Sequence, residues 1–140
     1  MAAAGATGIA AQSGTAAPAG NAGKASYPPG ASKFKRPKLK QGVLTIRGTK
    51  VSDKIALRLQ AGQPDVLQID VGDDGSPEFS FPRSAITKIV VNARAGNDAV
   101  RIDEGNGAFT DTIPTTIDGG DGNDTIAGGK GVETLLGGNG

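Results

Sequence analysis

A nine-residue period at the C-terminal end constrains this chain more than any other feature. Gly119-Gly120-Asp121-Gly122-Asn123-Asp124-Thr125-Ile126-Ala127 is followed by Gly128-Gly129-Lys130-Gly131-Val132-Glu133-Thr134-Leu135-Leu136, and a third unit opens as Gly137-Gly138-Asn139-Gly140. Ile117, Ile126 and Leu135 recur at intervals of nine, as one inward side chain per unit requires. Within each unit the first six residues suit a tight turn, because glycine reaches backbone angles that a Cβ forbids. The remaining three suit a short strand. A flexible Gly/Asn-rich tail would have no reason to keep the carboxylate and the aliphatic in phase.

Upstream the apolar period changes to two. Leu44 and Ile46, then Ile55, Leu57 and Leu59, then Leu67, Ile69 and Val71, then Phe79 and Phe81, then Val100 and Ile102 alternate with polar residues, and Ile86 to Val91 is a more continuous apolar run. Such segments, broken by Gly, Pro, Asp and Asn, predict short half-buried strands. No helical apolar stripe is present, so the expected fold class is all-β: short strands leading into the C-terminal repeat, behind a disordered N-terminal segment. The expected divisions are a leader over residues 1–41, an all-β module with degenerate repeats over 42–116, and the start of the repeat array over 117–140.

The leader is Ala, Gly, Ser, Thr and Pro with few large apolar side chains, too few to offset the entropy of ordering its backbone. It ends in a basic cluster, Lys33, Lys35, Arg36, Lys38 and Lys40, around Pro37. That cluster reads first as a solvated junction, and second as a patch for nucleic acid, acidic polysaccharide or anionic membrane. Only Phe34 is available for stacking there, so no specific nucleic acid is expected. All fourteen Asp and Glu lie from Asp53 onward, so a net charge of +1 hides a basic leader attached to an acidic module.

The absence of Cys and His removes thiolate and imidazole metal sites and the usual catalytic base. A bound metal must then be a hard cation held by oxygen. No G-x-S-x-G or H-E-x-x-H pattern occurs, and the Asp103-Glu104 pair reads as solvated carboxylates, so no enzyme is expected within the chain. Asp70-Val71-Gly72-Asp73-Asp74-Gly75 has some of the spacing of a calcium loop, but Gly72 and Phe81 stand where ligands are needed; a hairpin turn is the expectation. The opening MAAAGATGIAAQSG lacks the basic start of a signal peptide, and no stretch is long and apolar enough to span a membrane.

The nonapeptide tract resembles the hemolysin-type, repeats-in-toxin calcium-binding family of bacteria, over about a sixth of the chain. Ala95-Gly96-Asn97-Asp98-Ala99-Val100 echoes Asp121-Gly122-Asn123-Asp124-Thr125-Ile126 in order, and Leu44 to Leu57 has the cadence of segments leading into such repeats. The resemblance implies a right-handed parallel β-roll (a form of β-solenoid), a secreted or cell-surface location and calcium as the bound ion. It implies Gly120, Asp121, Gly122, Asp124, Glu133 and Gly138 as metal-site residues. In such rolls successive turns alternate between two sides, so the turn 119–124 is expected to pair with the turn beginning at Gly137. Without that turn's Asp, the expectation is one weak half-site carried by Asp124 and helped by Asp121.

One buried aliphatic per nine residues cannot offset the ordering of nine backbone residues, so ion binding and folding of 117–140 are expected to be coupled. The implied function is calcium binding in a non-catalytic module, with a cell-surface or polysaccharide ligand as further partner. The alternatives are the repeat tail of a secreted protease, lipase or polysaccharide epimerase, or an anionic-polymer-binding module using the basic leader. Further repeats are expected downstream.

Overall fold

The structure, a computed structural model, describes residues 34–140. Ten strands are formed among these residues: β1 (Lys38–Lys40), β2 (Val43–Arg47), β3 (Lys54–Gln60), β4 (Gln63–Val71), β5 (Phe79–Pro82), β6 (Lys88–Asn92), β7 (Ala99–Asp103), β8 (Thr115–Asp118), β9 (Thr125–Ala127) and β10 (Glu133–Leu136). A single 3-10 turn at Arg83–Ala85 is the sole helical element among the described residues. The all-β expectation therefore holds. Every run of alternating apolar residues became a strand with its apolar side inward, as the burial of Leu44, Ile46, Ile55, Leu57, Leu59, Leu67 and Ile69 records.

The strands form two five-stranded sheets. The first has the order β1-β2-β6-β8-β10 and the second β5-β4-β3-β7-β9. From β2 onward the chain crosses between the sheets, interrupted only by β4 and β5, which extend the second sheet. Neighbours β2-β6, β6-β8 and β8-β10 are parallel, as are β3-β7 and β7-β9. At the N-terminal end both sheets are mixed, because β1, β4 and β5 pair antiparallel. The β1–β2 connection is a two-residue turn, with Gln41 and Gly42 both at positive φ, the geometry that matches strand twist in a tight hairpin.

Register aligns the inward residues into rows. Ile46, Val91, Ile117 and Leu135 form one row through the first sheet, and Ile55, Val100 and Ile126 form one through the second. Ile117 and Leu135, two periods apart in sequence, are direct partners, while Ile126 lies between them in sequence but in the opposite sheet. The core spans Phe34 to Ile117 and tapers toward the C-terminal end: Ile117 is fully buried, Ile126 packs partly, and Leu135 is 45% exposed.

Two expectations need correction. The leader does not run to residue 41: Phe34 is buried, and Lys38–Lys40 pair with β2. Composition hid this because the ordering force is cross-strand pairing plus one aromatic anchor. Phe34 stacks on Phe79 with ring centroids 6.4 Å apart, and Arg36 lies over the Phe79 and Phe81 rings at 5.7 and 5.3 Å. The rest of the leader, including Lys33, lies outside the described residues. Asp103-Glu104 is also not a pair of solvated carboxylates, as shown below.

The hairpin expectation at Asp70–Gly75 agrees with the antiparallel pairing of β4 with β5. Asp70 accepts from the N–H groups of Asp74 (3.2 Å) and Gly75 (2.8 Å) and from Arg58 (2.9 Å), so its carboxylate closes the turn.

Candidate metal centre

Three segments between the sheets stack along one edge of the molecule: 48–53, 93–98 and 119–124. Residues 137–140 follow on the same edge. Asp121 bridges both Ala95 and Asn139 in parallel register. Gly96 N–H donates to Asp121 O (2.9 Å), Asp121 N–H to Arg94 O (2.7 Å), Gly122 N–H to Asn139 O (2.9 Å) and Asn139 N–H to Gly120 O (2.8 Å). The turn 119–124 thus pairs with the segment beginning at Gly137, as expected, and also with 93–98. The second pairing is the larger finding, because 93–98 is a complete turn with its own aspartate.

Glycine is required by this stacking at three positions with positive φ in its last two segments. Gly120 (φ +91°) and Gly122 (φ +126°) lie in the left-handed region, and a Cβ on either would overlap the carbonyl oxygen of Arg94 or Gly96 in the turn beneath. Gly138 (φ +80°) sits over the Gly120 carbonyl in the same way. In the middle turn Gly96 keeps this geometry (φ +117°), whereas Arg94 adopts φ +85° with a side chain, a strained choice.

The sixth residues of the turns, Asp53, Asp98 and Asp124, form a column. Asp53 N–H donates to Asp98 Oδ1 (2.7 Å), and Asp98 N–H donates to Asp124 Oδ1 (2.8 Å). Beside it runs a second ladder, in which Asn123 N–H donates to Asn97 Oδ1 (2.9 Å) and Asn97 N–H to the Ser52 hydroxyl (3.0 Å). The Asp53 carboxylate is satisfied within its own turn by the Thr49 N–H and hydroxyl. The other two are not. Among the described residues, Asp98 Oδ2 and Asp124 Oδ2 are buried and have no hydrogen-bond partner. Burial, with the neighbouring charges of Asp53 and Asp124 adding, pushes the Asp98 carboxyl up to about 6 despite the Asp53 N–H bond.

A buried carboxylate oxygen without a donor is costly, and a cation is one group that satisfies it. Two such oxygens on consecutive turns, in a stack where glycine keeps carbonyl oxygens close, fit a hard oxygen-ligated cation. Among the described residues no group of three or more Asp or Glu converges as a metal cluster, so carbonyl oxygens would have to supply most of the ligands.

Of the residues singled out in the sequence, Gly120, Asp121, Gly122, Asp124 and Gly138 come together on this edge. Asp121 is exposed, and its Oδ1 accepts from the Asn139 side chain (3.1 Å) instead of turning inward with Asp124. Glu133 is elsewhere. It belongs to the opposite edge, where its Oε2 accepts from Gly131 N–H at 3.3 Å. There Glu104 does the work: Oε1 accepts from the N–H groups of Phe109 (2.8 Å) and Thr110 (3.0 Å) and from the Thr110 hydroxyl (2.8 Å), and Oε2 from Lys130 N–H (2.6 Å). Burial alone would raise the Glu104 carboxyl, but these donors hold it below its ordinary value. A side-chain anion joins two turns on this edge.

The residue that sequence reasoning missed as a partner is Asp98. Its signal was the Gly-Asn-Asp order shared by 96–98 and 122–124; the intervening Phe109–Ile113 loop disguised the spacing. Comparison with protein-family models, with curated proteins and with solved structures gives no match for this chain.

Proposed function

We propose that this protein is a non-catalytic calcium-binding module of the secreted or cell-surface kind, whose parallel strands are rungs of a two-sided β-roll. Support for the roll comes from the crossing of the chain between sheets and from the two-period spacing of Ile117 and Leu135. The calcium reading is carried by one observation: the unpartnered buried Oδ2 atoms of Asp98 and Asp124 on successive turns. Asp98 and Asp124 would hold the ion together with carbonyl oxygens of 93–98 and 119–124. The ion would cancel the repulsion along the aspartate column and tie the last strands to the core. Thr49 already satisfies Asp53, so that carboxylate is not assigned to the ion.

Two carboxylates and neutral carbonyls make a modest site, with a Kd expected on the order of 0.1–1 mM, as in extracellular calcium modules. Isothermal calorimetry of the full chain with calcium tests this. Asp98→Asn and Asp124→Ala should each abolish the heat, and Asp121→Asn should leave most of it. An absence of heat for the parent chain at several millimolar calcium, or unchanged binding by Asp98→Asn, would overturn the assignment.

A further inference from the structure

The outer faces of the two sheets treat their cations differently. On the second sheet Arg58 holds Asp70 at 2.9 Å, and Arg101 holds Asp73 at 2.7 Å and Asp103 at 3.1 Å. On the first sheet the outward positions of β1, β2 and β6 carry Lys38, Lys40, Arg47 and Lys88, all exposed, and none makes a salt bridge among the described residues. Register groups them. Lys40 pairs with Val43, which pairs with Lys88, while Lys38 pairs with Thr45, two residues from Arg47. The first outward acid in these rows is Asp118 on β8, and it is turned to the Gly120 N–H (3.1 Å).

Four unpaired cations on the outer face of three neighbouring strands repel one another and attract a polyanion. Between them the face carries half-buried Val43 and Val90, with Thr45, Asn92 and the nearby Thr87 exposed and able to hydrogen-bond hydroxyls. Among the described residues no aromatic ring lies on this face, so they offer no stacking platform of the kind single-stranded nucleic acid uses. We propose that the outer face of β1, β2 and β6 is a docking surface for a linear acidic polysaccharide, held by Lys38, Lys40, Arg47 and Lys88. The surface is separate from the aspartate column, so it does not depend on the calcium reading.

The test is fluorescence anisotropy of the full chain with labelled oligogalacturonate, in chelator so that calcium cannot bridge the sugar acids. Binding should appear at low ionic strength and weaken as salt is added. Lys38→Gln/Lys40→Gln and Arg47→Gln/Lys88→Gln should each weaken it about threefold, and the four changes together about tenfold or more. Lys130→Gln, on the opposite edge, should leave it unchanged. The proposal is overturned if the parent chain does not bind, if the quadruple variant, folded by circular dichroism, binds as well as the parent, or if a single-stranded oligonucleotide of equal charge binds as tightly.

Discussion

At the scale of single residues, the glycines of the turn stack divide into those that tertiary contact demands and those it does not. Gly122→Ala would force a Cβ into the Gly96 carbonyl at a positive φ, so a loss of about 2–3 kcal/mol is expected. Gly137→Ala meets nothing within 4 Å, and its thermal midpoint should match the parent within error. Arg94 points the other way. It occupies the turn position held by Gly120 and Gly138, at φ +85°, so Arg94→Gly should stabilise the fold by about 0.5–1 kcal/mol. Urea titration of the three variants checks the order; a destabilised Arg94→Gly would mean that its side chain contributes more than its backbone strain costs.

At the scale of elements, the two ends of the molecule are unlike. The N-terminal end is closed by β1, by the β4–β5 pair and by Phe34, with Arg36 laid across Phe79 and Phe81. The other end leaves Val132, Leu135 and Leu136 substantially exposed. Truncations along a single row should therefore be graded. Ile117→Ala should cost about 3–4 kcal/mol, whereas Leu135→Ala, at the thin end, should cost under about 1 kcal/mol. Phe34→Ala should cost about 3 kcal/mol if the aromatic anchor closes the core as its burial indicates. Equal losses at Ile117 and Leu135 would contradict the taper.

At the scale of the whole molecule, the carboxylates set opposite pH dependences. Asp98 is raised to about 6 and Glu78 to about 7, both chiefly by burial, with neighbouring acids adding. Each binds its proton in the folded state at a pH where the unfolded carboxyl, near about 4, is ionised. Their contribution to stability therefore grows as pH falls from about 8 toward about 5. Asp73, lowered chiefly by its Arg101 hydrogen bond, acts in reverse. So does Asp103, lowered first by the Gly105 N–H, and so does Glu104, whose donors outweigh its burial. Their stabilisation is present above about pH 4 and lost below it. In chelator the thermal midpoint should be higher at pH 5 than at pH 8. Millimolar calcium should raise the pH 8 midpoint more than the pH 5 one, because the ion binds Asp98 ionised. A higher midpoint at pH 8 in chelator would show that Asp98 and Glu78 do not govern this range.

Much of this was determined by sequence alone, and for local reasons. Alternating apolar residues define strand faces whatever the partner strand, so Leu44 to Ile46, Ile55 to Leu59 and Leu67 to Val71 were legible. The nine-residue phase of Gly, Asp and aliphatic in 117–140 made the turns legible too, since positive φ and a missing Cβ are properties of single residues. Pairing is not local. The β4–β5 excursion and the Phe109–Ile113 loop separate Asp53, Asp98 and Asp124 by unequal lengths of chain, so only the sheet register brings them into one column. Only there do Asp98 and Asp124 share a stack with their Oδ2 atoms unsatisfied, and only there does Glu133 fall on the other edge, beside Glu104. Tertiary structure also took Lys38 and Lys40 out of a leader that composition read as disordered and set them beside Arg47 and Lys88, because cross-strand pairing is indifferent to how far apart its partners lie in the chain.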